Sequence, residues 1–269
     1  MPPNRFDWSL SRMHRILRPG LALPLAAIFA IAPLAARGPV RQAAPALPSA
    51  RTIIDRHVKE IGGRDAVLAQ TSTHATGTVS LPAAGLTGKL EAFHAKPNKF
   101  LQRMTLPGIG DIEEGFDGTV GWSISPLTGP TVLDGRQLEQ RKFDADFFED
   151  LKSSERYVSM TTVEKTTFEG RPVYKIQLVK KGGGEDIEFY DTETGLKVGA
   201  ITTRDSPMGP MQGTTAWSDY KKFGALLQPA TTKVSVMSTE MIMAITGVDY
   251  GKVEPSVFAL PAQIKALVK

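Results

Sequence analysis

The chain has 269 residues, enough for one large β domain or two small ones, and its 32 Lys and Arg residues outnumber its 28 Asp and Glu residues. It contains no cysteine, which excludes a disulfide framework, a thiol nucleophile and a thiolate metal site. No basic stripe with interleaved aromatic residues is present, so we expect no nucleic-acid partner.

The first 36 residues have the layout of a secretory signal. Four Arg residues precede the uncharged apolar run "LALPLAAIFAIAPLAA" at residues 21–36, which ends in small side chains. The run is shorter than the roughly 20 residues that a membrane-spanning helix needs, and Pro interrupts it. We therefore expect export with cleavage of residues 1–36, and an uncleaved membrane anchor is the less favoured alternative. Residues 37–50, rich in Pro and Ala, are predicted to form a disordered linker.

A helix and then many strands are predicted along the rest of the chain. Apolar residues recur at a helical period from Ile53 to Ile61, and Gly62 and Gly63 favour a helix end. Residues 64–70 are expected to add a further turn or two of helix. The first series of predicted strands spans residues 74–81, 86–95, 99–106, 111–116, 120–125 and 130–133. A helix at residues 135–152 separates this series from a second one at 157–168, 172–180, 186–190, 197–205, 212–220, 228–238 and 240–250. A short closing helix is predicted at residues 261–269.

The connections between these strands are short turns rich in Gly, Pro and Asp. Because a parallel return needs a dozen residues or more, neighbouring strands are expected to pair antiparallel. Asp117-Gly118 favours a two-residue turn that brings Phe116 and Trp122 onto adjoining strands. The predicted fold class is mainly β with flanking helices, in which residues 51–269 form a single domain.

No catalytic or metal-binding motif stands out in the chain. It has no G-x-S-x-G elbow and no H-E-x-x-H pair, and its four His residues are scattered singly. "DTETG" lacks the remaining ligands of a calcium loop, and "KKGGGE" is not followed by a helix that could cradle a phosphate. We therefore expect no enzyme activity, no metal and no cofactor. A hydrolase with converging carboxylates is a further alternative, and its candidates are Glu113, Glu114, Asp117, Glu185, Asp186 and Glu188.

Apolar side chains alternate along one face of many strands, and two interpretations are open. One is an ordinary β core in which Met residues fill gaps. The other is a curved sheet with one side open enough to hold an alkyl chain, since Met adapts its shape to varied apolar partners. The candidate ligand-binding residues are Leu90, Met104, Phe116, Trp122, Ile176, Phe189, Met208, Met211, Trp217, Met241 and Met243.

Several strings in the chain resemble a family of exported bacterial proteins. They are "VKEIGGRDAV" at residues 58–67, "EGFDGTVGWSISPLTGP" at 114–130, "FEGRPVYKIQLV" at 168–179, "YDTETGLKVG" at 190–199, "SPMGPM" at 206–211 and "FALPAQIKALVK" at 258–269. These proteins are similar to the periplasmic lipoprotein carriers of the LolA/LolB type, and related domains occur beside insulinase-type zinc peptidases. The resemblance covers most of residues 53–269.

The resemblance implies a half-open antiparallel β-barrel, that is, a curved sheet whose concave side is covered by helices, with an apolar cavity between them. It implies a non-enzymatic periplasmic carrier or chaperone, acting as a monomer, for lipoprotein acyl chains or another amphiphile. The alternative is an envelope sensor or adaptor domain that binds a protein partner, such as a zinc peptidase, through its apolar face. The chain lacks the N-terminal lipidated Cys of the family's outer-membrane receptor, so a soluble carrier fits better than an anchored acceptor.

Overall fold

Thirteen strands form one antiparallel sheet in the computed structural model, which describes residues 46–206, 209–251 and 253–268. The strands are β1 (Ser72–Leu81), β2 (Leu86–Ala95), β3 (Lys99–Leu106), β4 (Gly110–Phe116), β5 (Gly121–Ser125), β6 (Gly129–Val132), β7 (Tyr157–Phe168), β8 (Arg171–Lys180), β9 (Glu185–Asp191), β10 (Lys197–Ser206), β11 (Gly209–Phe223), β12 (Leu226–Val236) and β13 (Thr239–Tyr250). The α-helices are α1 (Ala50–Glu60), α2 (Arg64–Leu68), α3 (Gly135–Asp144), α4 (Ser153–Arg156) and α5 (Ala262–Lys265). Short 3-10 helices lie at Pro82–Ala84, Glu149–Leu151 and Pro255–Phe258. Within the described ranges, no helix is long and apolar enough to cross a membrane.

Two hairpin meanders make up the sheet. The strand order is β6-β5-β4-β3-β2-β1-β13-β12-β11-β10-β9-β8-β7, so β1 pairs with β13 where the two meanders meet. Strands that follow one another within a meander are antiparallel neighbours, as the short turns predict. The edge strands β6 and β7 do not pair with each other, so the sheet stays open. The predicted fold class is confirmed.

The sheet curves strongly around α3. This helix has 10 residues and is therefore about 15 Å long, yet it packs against both β5 and β10. These two strands lie eight positions apart in the sheet, which would be roughly 38 Å if the sheet were flat. At β5, Leu138 of α3 lies 3.3 Å from the position that a Cβ on Gly121 would take. The face that carries α3 is therefore the concave face.

The first helix also covers the concave face, at the other half of the sheet. The side chain of Ser49 accepts a hydrogen bond from the backbone N–H of Thr52 and so caps the start of α1. Ile53 and Ile54 of α1 are buried against a cluster that includes Ile176. Helices therefore cover the concave side at both halves of the sheet, as predicted.

The helix predicted at residues 135–152 is broken in the structure. α3 ends at Asp144. The carboxylate of Asp146 accepts a hydrogen bond from the backbone N–H of Phe148 and forms an ion pair with Lys152. A short acidic side chain that binds nearby backbone N–H groups competes with helical hydrogen bonding. A 3-10 turn at Glu149–Leu151 and α4 follow the break, and they bring residues 149–150 over the concave face.

The last residues of the described chain cover the convex face instead. Phe258 and Ile264 are buried in one cluster with Trp122. Phe116 pairs with Gly121 under α3, so the alternation of side chains along β5 directs Trp122 to the opposite side of the sheet. The closing helix differs from its prediction in length, because α5 ends at Lys265. It also differs from α1 and α3, because it packs on the convex side.

Candidate functional site

Six apolar side chains form a patch on the concave face that we call the apolar floor. It consists of Val79, Leu90, Met104, Leu106, Met241 and Met243. The strand register places Leu90 opposite Met104 and Val79 opposite Met243. Met241 and Met243 are half-buried, whereas the other four are buried. The structure thus brings together four of the candidate ligand-binding residues, Leu90, Met104, Met241 and Met243.

A cavity of about 400 Å³ lies on the same face, between the helices and strands β1, β2 and β10 to β13. Ile61 and Val67 on the helix side, and Leu226 and Val248 on the sheet side, contribute apolar walls. Ala75 also lines the cavity. It lies four residues before Val79 on the same face of β1, a distance of about 13 Å. The cavity and the apolar floor therefore follow one another along the concave face.

The remaining candidate residues lie in different places. Trp217 lines the cavity. Phe116 is fully buried on the concave face, and Ile176 is buried under α1. Met211 pairs with Arg204 near the end of β10 and is half-buried.

Two candidates point to the convex face, and one lies outside the described residues. Trp122 packs under the C-terminal segment. Phe189 stacks on Phe168 with a centroid distance of 4.3 Å in a cluster with Val173 and Val198. Neither side chain faces the cavity, because each strand alternates between the two faces. Met208 falls outside the described residues.

A buried charged cluster, which sequence reasoning missed, forms one end of the cavity. The ammonium group of Lys197 lies 3.3 Å from the carboxylate of Asp150 and 3.5 Å from that of Glu188, and 5.4 Å from the ring of Trp217. Burial opposes its charge, but Glu188 and Asp150 outweigh burial and raise the pKa of Lys197 well above its ordinary value. Lys197 therefore stays charged at neutral pH.

His57 of α1 completes this cluster in its neutral form. Its Nδ1 accepts a hydrogen bond of 3.2 Å from the backbone N–H of Lys197, which leaves the proton on Nε2, 3.8 Å from Asp150. Burial lowers the pKa of His57 to about 4, against the opposing effect of Asp150. The residue is only 3% exposed.

This lowered pKa predicts a loss of stability in mild acid. Between pH 6.5 and 4 the unfolded chain binds a proton at His57 that the folded chain does not, so the free energy of unfolding falls as the pH falls. The full contribution is about 3 kcal/mol. His57→Asn keeps an acceptor near the Nδ1 position but cannot titrate. We expect a shallower slope of unfolding free energy against pH in this variant, measured by urea titration; an unchanged slope would contradict the assignment.

One polar group faces the cavity without a protein partner. The hydroxyl of Tyr250 is buried and has no hydrogen-bond partner among the described residues. A buried hydroxyl left unpaired costs about 1–3 kcal/mol. A polar group of a bound molecule in the cavity would pair with it, so Tyr250 marks a polar contact point in the cavity wall.

The carboxylates considered for a hydrolase are held by other groups. Glu113 is on the convex side with Arg103, at 2.8 Å, whereas Glu114 is on the concave side with Arg141, at 2.6 Å. Asp117 accepts backbone hydrogen bonds in its turn. On β8 and β9, the amide of Gln177 donates to Glu185, Lys180 pairs with Asp186, and Lys197 pairs with Glu188. Within the described ranges, no group of three His, Asp or Glu side chains is arranged to hold a metal ion.

Comparison with known proteins identifies the fold. No protein-family model and no curated protein sequence matches the chain. Among solved structures, a DUF1329 family protein from Desulfovibrio piger has a TM-score of 0.55 at 12% identity, covering 78% of this chain and 97% of that one. A LolA superfamily protein from Nitrosomonas europaea has a TM-score of 0.51 at 11% identity, covering 80% and 99%. A Vibrio parahaemolyticus domain that carries the name outer membrane lipoprotein-sorting protein has a TM-score of 0.51 at 14% identity, covering 77% and 96%. The chain therefore has a fold similar to that of LolA-like proteins, as the resemblance in its sequence implied.

Proposed function

We propose that this protein is a non-enzymatic carrier that holds the acyl chain of a lipid or lipidated protein on its concave face. The observation that carries the proposal is that the apolar floor and the cavity of about 400 Å³ lie one after the other on the same concave face. A volume of this size is typical of small-ligand sites. The similarity in fold to a LolA superfamily protein and to a lipoprotein-sorting domain supports the same class of client.

Burial of an acyl chain supplies favourable free energy of binding without any polar contact. At about 0.8 kcal/mol per CH₂, a chain of about 16 carbons releases roughly 12 kcal/mol before the costs of association. Association costs about 4–15 kcal/mol, so useful affinity requires a cost toward the lower end of this range, as a preformed cavity provides. The half-buried Met241 and Met243 are flexible enough to adapt to such a chain.

The polar end of an amphiphile has one free hydrogen-bond donor in the cavity. It is the unpaired hydroxyl of Tyr250, to which an ester, carboxylate or phosphate oxygen of the client would bind, whereas the ammonium group of Lys197 is already paired with Asp150 and Glu188. We place the protein in the periplasm, as a monomer. The predicted signal sequence, on which this location rests, lies outside the described residues.

Two adjacent residues of β13 give a matched test. Met243 points to the apolar floor, whereas Ile242 points to the convex face, and both are half-buried. Met243→Asp places a charge beside the bound chain, so the Kd for a fluorescent fatty acid is expected to rise by about tenfold or more. Ile242→Asp, the control, is expected to leave Kd unchanged. Equal effects of the two substitutions in folded proteins would argue against binding on the concave face.

A further inference from the structure

The topology gathers alternate hairpin turns at one rim of the curved sheet. Because neighbours are antiparallel throughout, the β1–β2, β3–β4, β5–β6, β8–β9, β10–β11 and β12–β13 turns share one rim. The turns β2–β3, β4–β5, β7–β8, β9–β10 and β11–β12 share the other. The two rims differ in chemistry.

Four turns that are adjacent on the first rim contain no charged residue, and we call them the apolar rim. They are residues 81–86 (LPAAGL), 106–110 (LPGIG), 125–129 (SPLTG) and 236–239 (VMST). They belong to eight strands that are consecutive in the sheet, from β6 to β12. Seven strand spacings correspond to an arc of roughly 34 Å. On the opposite rim four of the five turns contain a charged residue, namely Lys96, Asp117, Glu169 and Glu193.

Large apolar side chains stand out from this arc into solvent. Leu127 and Met237 are each 83% exposed, and they lie in the turns at its two ends. Single exposed Leu residues are common on soluble proteins. Four adjacent turns without a charged residue are different, because Asp and Asn are common in hairpin turns and none of these four contains either. Such surfaces mark contacts with membranes or proteins.

The backbone of the apolar rim also suits a medium with little water. Three of its turns contain a proline, at Pro82, Pro107 and Pro126, and all three are exposed. Proline has no backbone N–H, so it leaves no donor unpaired where water is scarce. The β8–β9 turn, which lies on the first rim beyond the apolar rim, has an exposed cation, Lys181, and an exposed Glu185 at its end; the cation suits the phosphates of lipid headgroups.

The rim is continuous with the proposed binding surface. Leu81, Leu86 and Ile109, which belong to two of the rim turns, pack against the cluster that forms the apolar floor. From these facts we infer that the apolar rim docks on the surface of a phospholipid bilayer, with Leu127 and Met237 inserted among the headgroups. Docked in this way, the protein presents the apolar floor to the membrane, and an acyl chain reaches it without crossing a ring of charges.

The absence of cysteine allows a direct test on the full chain. Leu127→Cys and Met237→Cys each give a single attachment site for the environment-sensitive fluorophore NBD. Val163→Cys is the matched control, because Val163 is 44% exposed in the middle of the edge strand β7, six residues or roughly 20 Å from the strand end at the first rim. The probe membrane is a vesicle of phosphatidylethanolamine and phosphatidylglycerol. We expect NBD emission at 127 and 237 to increase and shift to the blue with vesicles, and to be quenched by doxyl-labelled lipid, while the label at 163 does not respond.

A second substitution measures the contribution of one inserted side chain. Leu127→Glu in the Met237→Cys protein is expected to weaken the apparent vesicle affinity by about tenfold. The proposal is overturned if the labels at 127 and 237 stay silent in folded protein, or if all three labels respond alike. It is also overturned if the two rim labels respond to protein concentration without vesicles, which would indicate contact with a second copy. None of these outcomes affects the fatty-acid binding test, so a failure of docking is distinguishable from a failure of the proposed function.

Discussion

Trp122→Ala is expected to lower the free energy of unfolding by about 3–5 kcal/mol. Trp122 is 0% exposed on the convex face and packs with Phe93, Leu101 and Phe258. Its Nε1–H donates a hydrogen bond of 3.2 Å to Glu113, which the substitution also removes. The loss is measured by urea unfolding at pH 7. Fatty-acid binding by the folded fraction is expected to be unchanged, because Trp122 points away from the cavity.

Trp217→Ala serves as the matched comparison. Trp217 is half-buried and lines the cavity, so its removal is expected to cost less stability than the removal of Trp122 and to weaken fatty-acid binding. The two substitutions thus distinguish a Trp that stabilises the fold by packing from a Trp that contacts the ligand. The opposite pattern, in which Trp122→Ala abolishes binding and Trp217→Ala does not, would contradict the assignment of the two faces.

Lys197→Met is expected to lower the free energy of unfolding by about 3 kcal/mol at pH 7, because it leaves two carboxylates without their cation. Asp150 and Glu188 both lie within 3.5 Å of the ammonium group that is lost. Met keeps most of the length of the Lys side chain, so the change in the free energy of unfolding is due mainly to the loss of the positive charge. The measurement is again a urea titration.

A surface lysine provides the control for Lys197. Lys233 pairs with Glu169 at 2.9 Å, but both side chains are substantially exposed, at 32% and 49%. Lys233→Met is therefore expected to cost less than about 1 kcal/mol. Equal costs for the two substitutions would show that the charged cluster around Lys197 is no more important for stability than a surface pair.

Much of the fold could be predicted because each strand is bounded by residues with a specific turn preference. Gly, Pro and Asp punctuate the chain at nearly every hairpin, so the predicted strands agree with the observed ones within a few residues. The turn after Phe116 was predicted at two residues but has four, because the carboxylate of Asp117 accepts hydrogen bonds from the backbone N–H groups of Thr119 and Val120. The predicted length of the helix at residues 135–152 is wrong for a similar reason, since the side chain of Asp146 binds the backbone just after the observed helix ends.

The candidate site could be predicted only in part from the sequence. Period-two alternation correctly groups Leu90, Met104, Met241 and Met243 on one surface. Side-chain type alone groups Trp122 with Phe116, whereas the strand register separates them onto opposite faces.

The charged cluster gave no signal in the sequence because its members are far apart in the chain. His57 comes from the first helix, Asp150 from a 3-10 turn and Lys197 from β10. Such a site depends on tertiary contacts that no local pattern encodes.

The central claim is that the concave face holds an acyl chain, and mass spectrometry tests it most directly. The protein is purified from its native cells without detergent and analysed intact, and then its organic extract is analysed. The proposal predicts a phospholipid, fatty acid or lipopeptide at up to one molecule per chain, reduced in Met243→Asp and retained in Ile242→Asp. A folded protein that carries no lipid, or that carries one stoichiometric protein partner instead, would contradict it and would favour an adaptor that binds proteins.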